Sequence, residues 1–138
     1  MKFTFSFLFA CSFFVATAQS SIPEGTTVPM IATEQVDVDK YKVGSSAPFV
    51  VAEDVKVNGV VVIPAKAKVH AVVTRSSKSS ARKGEGDLRV DFLDVMAMDG
   101  STVKLNDCWL FTNGAQNLKK HLPVFPVGTR KNCATVKQ

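Results

Sequence analysis

The chain has 138 residues, a formal net charge of +5 and a hydrophobic fraction of 46%. That length suits one ordinary domain, and a charge of this size favours solubility without identifying any partner. Beyond the N-terminal residues no segment is apolar enough to cross a membrane, which excludes a protein with several transmembrane helices.

The N-terminus carries the pattern of a cleavable signal peptide. Lys2 gives the positive start, residues 3–15 are almost entirely apolar, and residues 16–18 (Ala-Thr-Ala) form a small-x-small cleavage site. We therefore predict that residues 1–18 are removed and that residues 19–138 form a single exported β-domain. One alternative is an uncleaved anchor, although the apolar run is shorter than the roughly 20 residues of a spanning helix. The other is a lipoprotein signal with acylation at Cys11.

Cleavage changes the cysteine content of the protein. It removes Cys11 and leaves an even pair, Cys108 and Cys133. An even pair in an oxidising compartment favours a disulfide bond, which would close a loop of about 25 residues and add about 3 kcal/mol by constraining the unfolded chain. The alternative is two separate thiols, one buried and one near the C-terminus.

The exported region is predicted to be all-β, a small β-barrel or sandwich of short, mostly antiparallel strands. Its clearest signal is residues 88–92, where Leu, Val and Phe alternate with Arg and Asp. The alternation shifts at Leu93, which predicts a bulge or a bend of the strand near residues 92–94. Further strands are expected at residues 26–33, 49–52, 68–75, 102–111 and 129–136.

Two dipeptides predict tight hairpin turns, Asn-Gly at residues 58–59 and Asp-Gly at residues 99–100. The first turn leads into Val60–Ile63, a continuous branched run that is typical of a strand buried on both faces. Two polar stretches interrupt the strands. Residues 76–87 are predicted to form a mobile loop, and within residues 112–122 a weak helical tendency covers residues 116–121.

A short pattern of an apolar residue, Pro, any residue, Gly and Thr occurs at residues 22–26 and again at residues 125–129. Residues 63–67 form a looser third copy. We interpret the pattern as a turn at the entry or exit of a strand, with Pro at the second turn position and Gly at the fourth. For the third copy we favour an independent turn of a common type.

Five segments in sequence order carry a family resemblance: residues 22–26 (IPEGT), 52–55 (AEDV), 60–64 (VVVIP), 88–92 (LRVDF) and 98–100 (MDG). Together they resemble the C-terminal β-barrel region of the VirB10/TrbI proteins, which form the outer part of type IV secretion channels. The chain is also similar to small stand-alone bacterial envelope proteins with the same β-unit. The resemblance implies a β-barrel-like fold in the cell envelope.

The chain also departs from the VirB10/TrbI pattern. Channel members carry a cytoplasmic segment, an inner-membrane helix and a Pro-rich linker, whereas this chain is expected to begin with a cleavable signal. They also insert a helical pair that reaches the outer membrane, and residues 76–87 are too polar and too short for that role. The resemblance therefore does not imply a channel subunit.

No catalytic, cofactor or metal site is predicted. His70, His121, Cys108 and Cys133 lack the spacing of zinc ligands, and a Cys–His nucleophilic pair is less plausible than a buried or bonded sulfur at Cys108. The neighbouring carboxylates at residues 53–54 point to opposite faces of a strand, so they are poorly placed to share a site. Neither a nucleophile elbow nor a phosphate-binding glycine loop is present.

A basic stretch provides the remaining candidate site. Arg75, Lys78, Arg82 and Lys83 lie in or beside the polar loop, and they are either a solvated surface or a contact for an anionic envelope polymer or lipid headgroups. Because no aromatic residue interleaves with them and the protein is predicted to be exported, nucleic acid is not expected as a partner.

The sequence thus favours an exported, non-catalytic envelope domain, in the periplasm or associated with the outer membrane. It is expected to bind or scaffold an envelope protein or anionic polymer, either alone or within a larger assembly. The alternative is a small envelope hydrolase or cell-wall-modifying enzyme. A cleft that brings His70 or His121 within hydrogen-bond reach of Cys108, Asp91 or Asp94 would favour this alternative.

Overall fold

The computed structural model describes residues 22–77, 86–113 and 123–137. Within these ranges every regular element is a β-strand, which confirms the predicted all-β class. The strands are β1 (Thr27–Ala32), β2 (Val36–Asp37), β3 (Phe49–Val51), β4 (Val55–Val57), β5 (Val60–Ile63), β6 (Val69–Ser76), β7 (Asp87–Met96), β8 (Thr102–Asn113), β9 (Val124–Phe125) and β10 (Arg130–Ala134).

Three sequence predictions lie outside the described residues: the signal peptide at residues 1–18, the helical tendency at residues 116–121 and most of the polar loop at residues 76–87. The ends of that loop are described. Ser76 closes β6 and Asp87 opens β7, and the amide of Ser77 donates to the carbonyl of Asp87 at 2.9 Å. Both ends of the predicted loop therefore belong to a hairpin.

Strand pairing in the described part of the chain is antiparallel throughout. It gives two three-stranded sheets, β10-β1-β3 and β6-β7-β8, and two small sheets, β2-β9 and β4-β5. Isolated bridges link the larger sheets, Val50 to Lys68 on one side and Leu105 to Thr135 on the other. The sheets do not close into a barrel, and they pack as in a sandwich.

The core lies between the two larger sheets. The rings of Phe49 on β3 and Phe92 on β7 meet edge to face, with centroids 4.9 Å apart and an interplanar angle of 90°. Val28 and Met30 on β1 and Val90 on β7 are completely buried. Alternation along β1 and along the first half of β7 thus supplies the facing apolar surfaces that hold the sandwich together.

The bulge predicted in β7 is present. Leu88, Val90 and Phe92 are buried, and the register with β8 shifts between Phe92 and Asp94. Leu93 follows the inward-facing Phe92 and is exposed, and the bulge after it returns Val95 to the buried face. The bulge matters for the site described below because it changes the face that β8 presents.

The prediction that Val60–Ile63 is buried on both faces is wrong for its first half. Val60 is 61% exposed and Val61 is half-buried, whereas Val62 and Ile63 are buried. The reason is the Asn-Gly turn before the strand, which is confirmed by φ values of 52° at Asn58 and 78° at Gly59. This tight hairpin projects the start of β5 into solvent, and only its second half reaches the core.

The three copies of the Pro-containing pattern form the same turn, but not in the predicted register. In residues 23–26, 64–67 and 126–129 the carbonyl of the first residue, Pro, accepts a hydrogen bond from the amide of the fourth residue at 3.2–3.3 Å. Pro is thus first, not second, and the positive φ falls on the third residue: 83° at Gly25, 67° at Lys66 and 87° at Gly128. The third copy is therefore equivalent to the other two, with Lys66 in the place of glycine.

Each of these turns is bonded to the end of a neighbouring strand through the amide of its third residue. Gly25 donates to the carbonyl of Thr135 at 2.8 Å, Lys66 to Val51 at 2.8 Å, and Gly128 to Ala32 at 3.0 Å. The hydroxyl of the buried Thr135 strengthens the first junction because it donates to the carbonyl of Pro23 at 2.8 Å. These junctions fix where β1, β6 and β10 begin.

No helix long and apolar enough to cross a membrane occurs in the three described ranges.

Candidate functional site

The predicted disulfide is present and joins Cys108 on β8 to Cys133 on β10, with Cα atoms 5.8 Å apart. Cys133 is buried and Cys108 is half-buried. The bond ties β8 to the sheet that contains both ends of the described chain. A structural disulfide of this kind indicates a non-reducing compartment.

The outward face of β8 changes along the strand. Val103 and Leu105 are buried in its first half, whereas Asp107, Trp109 and Phe111 are exposed in its second half. The change occurs opposite the β7 bulge, where Phe92 pairs with Cys108 but Asp94 pairs with Lys104, four residues earlier on β8. As a result of this irregular pairing, the side chains of Asp107, Trp109 and Phe111 face the solvent.

These side chains form the candidate site. We call it the Trp109 face, and it consists of Arg89, Asp91, Leu93, Asp107, Trp109 and Phe111. Trp109 is 47% exposed, and Leu93 and Phe111 are exposed as well. Exposed large apolar side chains that cluster on one surface are typical of binding sites.

Arg89 organises the Trp109 face. Its guanidinium carbon lies 4.7 Å from the centroid of the Trp109 ring, in a cation–π contact across the two strands. Its Nε donates to Oδ1 of Asp91 at 2.9 Å, and both side chains of this ion pair are only about one-third exposed or less. The indole is therefore fixed from one side and open to solvent over nearly half of its surface.

Two shallow cavities flank Trp109. One, of about 330 Å³, lies between the outer side chains of β7 and β8, and its polar lining groups are Arg89, Asp91 and Asp107. The other, of about 340 Å³, lies between β8 and β10 beside the disulfide and includes Lys131. Asp107, Cys108 and Trp109 line both cavities. Across the pair, two cations, Arg89 and Lys131, balance two carboxylates, Asp91 and Asp107.

Of the four basic residues predicted as a candidate site, only Arg75 lies among the residues that the structure describes. Arg75 lies near the end of β6 with Nη1 at 3.8 Å from Oδ2 of Asp87. Its side chain is exposed and already faces a carboxylate, in a contact of the kind that contributes little stability at a surface. Lys78, Arg82 and Lys83 lie outside the described residues.

His70 lies close to a carboxylate, as the enzymatic alternative requires, but neither of the cavities beside Trp109 includes it. Its Nδ1 is 3.3 Å from Oδ2 of Asp94, its cross-strand partner on β7. The imidazole is exposed, and Cys108 is bonded to Cys133, so no thiolate of Cys108 serves this pair. His121 lies outside the described residues. Among the side chains that the structure describes, no three or more His, Cys, Asp or Glu residues gather in a way that could hold a metal ion.

Sequence reasoning missed the Trp109 face. Residues 107–112 form a strand in which both faces carry apolar side chains. Trp109 and Phe111 lie on one face, and Cys108 and Leu110 lie on the other. The sequence therefore predicts the strand without predicting which face is exposed. The irregular pairing opposite Leu93 decides the orientation, and that pairing depends on the partner strand.

Comparison of the chain with protein-family models, with curated proteins and with solved structures found no match.

Proposed function

We propose that the chain is an exported, non-catalytic β-domain that binds or scaffolds a component of the cell envelope, and that it binds through the Trp109 face. The proposal places it in the periplasm or at the outer membrane. The signal-peptide pattern of residues 1–18 and the Cys108–Cys133 bond support export.

One observation carries the binding role: Trp109 is an exposed aromatic side chain held in a fixed orientation. A Trp that is free to reorient loses conformational entropy when it binds, whereas Arg89 and the strand backbone restrict Trp109 in advance. Trp and Arg are also the residues most enriched among those that dominate binding energies. The disulfide also stabilises this region because Cys108 directly precedes Trp109 on β8.

Washed envelopes from the native host test this proposal. We expect the wild-type protein to begin near residue 19 and to sediment with the envelopes, and Trp109→Ala to shift the protein into the soluble fraction. Val127→Ala is the matched control because Val127 is also exposed and apolar but lies in the turn before β10. Retention of Trp109→Ala at the wild-type level would refute a binding role for this face, and an uncleaved cytoplasmic protein would refute export.

The alternative, a small envelope hydrolase or cell-wall-modifying enzyme, is supported by the His70–Asp94 pair. A carboxylate that orients an imidazole is a common part of general-base catalysis. If the protein releases dye from labelled envelope polymer, and if His70→Ala abolishes that release while Thr74→Ala on the same strand does not, the enzymatic reading is correct. We expect no release of dye from the wild type or from either variant.

A further inference from the structure

The composition of the Trp109 face points to a particular class of ligand. A pyranose ring presents a face of C–H groups and an edge of hydroxyl groups. It is therefore recognised by an exposed aromatic platform beside side chains that accept and donate hydrogen bonds. The Trp109 face offers both features on one rigid pair of strands.

Trp109 supplies the platform. Its ring is fixed by Arg89 and remains open to solvent over nearly half of its surface. The ring belongs to an extended strand that is paired with β7 and bonded through Cys108 to β10. A platform of this kind meets a ligand without reorganising, which lowers the entropic cost of binding.

The polar groups surround the platform. Asp91 and Asp107 line the first cavity, and Asn106, Asp107 and Lys131 line the second. A carboxylate has about four acceptor positions, so Asp91 retains acceptor capacity after it pairs with Arg89. Hydroxyl groups on a sugar edge can donate to these oxygens and accept from the Lys131 ammonium or the Asn106 amide.

The charges favour a neutral ligand. Arg89 and Lys131 offset Asp91 and Asp107, so the two cavities together carry no net charge at neutral pH. An anionic polymer would meet the two carboxylates as well as the two cations, and a cationic peptide the two cations as well as the two carboxylates, so for either ligand the repulsive contacts offset the attractive ones. A neutral polyhydroxylated ligand avoids both costs.

The shape favours a chain rather than a single small molecule. Each cavity has a volume of 330–340 Å³, near the lower end of the roughly 300–1,000 Å³ range of small-molecule sites. Because Asp107 and Trp109 line both cavities, one oligosaccharide can extend from one cavity into the other, with a ring stacked on the indole face that Arg89 leaves open.

We propose that the Trp109 face is a saccharide-binding site whose ligand is a neutral pyranose segment of an envelope polysaccharide. Trp109 stacks on one ring, and Asp91, Asp107 and Lys131 bind the hydroxyl groups of the segment. This inference rests on the proposed function for the location of the protein, and it names the partner of that same surface.

Tryptophan fluorescence reads this binding directly because Trp109 is the single tryptophan of the chain. The secreted protein is titrated with three neutral tetrasaccharides: chitotetraose, cellotetraose and maltotetraose. We expect at least one to change the emission of Trp109 saturably, with a dissociation constant that is roughly millimolar or lower. Added salt should leave this affinity unchanged because the site is neutral.

Calorimetric titration of variants separates the site from the rest of the surface. We expect Trp109→Ala to weaken binding of the responding tetrasaccharide at least about tenfold and Asp107→Ala to weaken it measurably. Val127→Ala should leave binding unchanged. Both site residues are exposed, and urea unfolding of each variant verifies that it is folded.

The binding and retention experiments together distinguish a failure of the saccharide inference from a failure of the proposed function. If none of the three tetrasaccharides binds, or if binding survives Trp109→Ala, the saccharide inference is wrong. Loss of envelope retention in Trp109→Ala would then show that the face binds another component, such as an envelope protein. If retention is also unaffected, both proposals fail.

Discussion

Arg89 determines the orientation of Trp109 because it makes two contacts at once. Its guanidinium lies over the indole at 4.7 Å, and its Nε is bonded to Asp91 at 2.9 Å. An exposed cation–π contact contributes only about 0.5–1 kcal/mol. Its importance lies in restricting the aromatic ring rather than in overall stability, and this is the property that a binding platform requires.

A second cluster of side chains gives the protein a pH-dependent contribution to stability. The carboxylate of Glu34 accepts hydrogen bonds from Nζ of Lys40 at 3.2 Å and from the hydroxyl of Tyr41 at 3.1 Å. These contacts, with Lys40 the larger cause, hold the pKa of Glu34 below its ordinary value of 4.5. The contribution is therefore present above pH 4.5 and is lost as the pH falls through the lowered folded-state pKa.

Glu34→Gln tests this contribution. We expect the difference in free energy of unfolding between the wild type and Glu34→Gln to be largest near pH 6 and to shrink as the pH is lowered towards 3. Urea unfolding at a series of pH values measures it. Tyr41→Phe removes one of the two hydrogen bonds, so it should reduce the pH dependence only in part. A difference that stays constant over this range would contradict the assignment.

At the scale of elements, the repeated turns explain how the strands are placed. Each of the three turns begins with Pro, has a positive φ at its third residue and bonds to the end of a neighbouring strand. Two of the three have glycine at the third position. Lys66 adopts a φ of 67° there, which costs an ordinary side chain about 1–2 kcal/mol.

Substitutions at the third position of these turns should act in opposite directions. Gly25→Ala is expected to lower the free energy of unfolding by about 1 kcal/mol, because a Cβ added at φ 83° is strained although it meets no neighbouring atom. Lys66→Gly is expected to be neutral or stabilising, since relief of strain opposes the greater freedom of glycine in the unfolded chain. Urea unfolding of both variants checks the signs. A marked loss of stability in Lys66→Gly would show that the three turns are not equivalent.

The same elements show which structural features local sequence patterns predict and which they do not. Alternation in β7 and the turn dipeptides predicted the strands, the hairpins and the bulge at Leu93, because each depends on local side-chain chemistry. The position of Pro within the repeated turns was wrong, since the sequence alone does not show which carbonyl accepts the closing hydrogen bond. The exposure of Val60 and Trp109 depends on the partner strand, and that information is not local.

At the scale of the whole molecule, the first and last strands of the described chain are neighbours. β1 pairs with β10 from Thr27 with Ala134 to Ile31 with Arg130, and the disulfide joins β10 to β8. The β10-β1-β3 sheet therefore forms only when both β1 and β10 are available. Such non-local pairing is slow to form in folding, and the disulfide stabilises it once it has formed.

Loss of the disulfide should destabilise the whole domain. We expect the double variant Cys108→Ala/Cys133→Ala to lose about 3 kcal/mol of unfolding free energy, because the unfolded chain is no longer closed over a sequence separation of 25 residues. Urea unfolding of the oxidised wild type, the reduced wild type and the double variant measures the effect. If reductant leaves the unfolding midpoint of the wild type unchanged, the bond does not contribute as stated.

Site-specific photocrosslinking in the native envelope tests most directly the central claim that the Trp109 face contacts an envelope component. A benzophenone amino acid is placed at Leu93, which lies on this face beside an intact Trp109, or at Val127 as an equally exposed apolar control. We predict a discrete adduct from position 93 that disappears when Trp109→Ala is added, and no adduct from position 127. The claim is contradicted if position 93 gives no adduct, or if its adduct persists in the Trp109→Ala background.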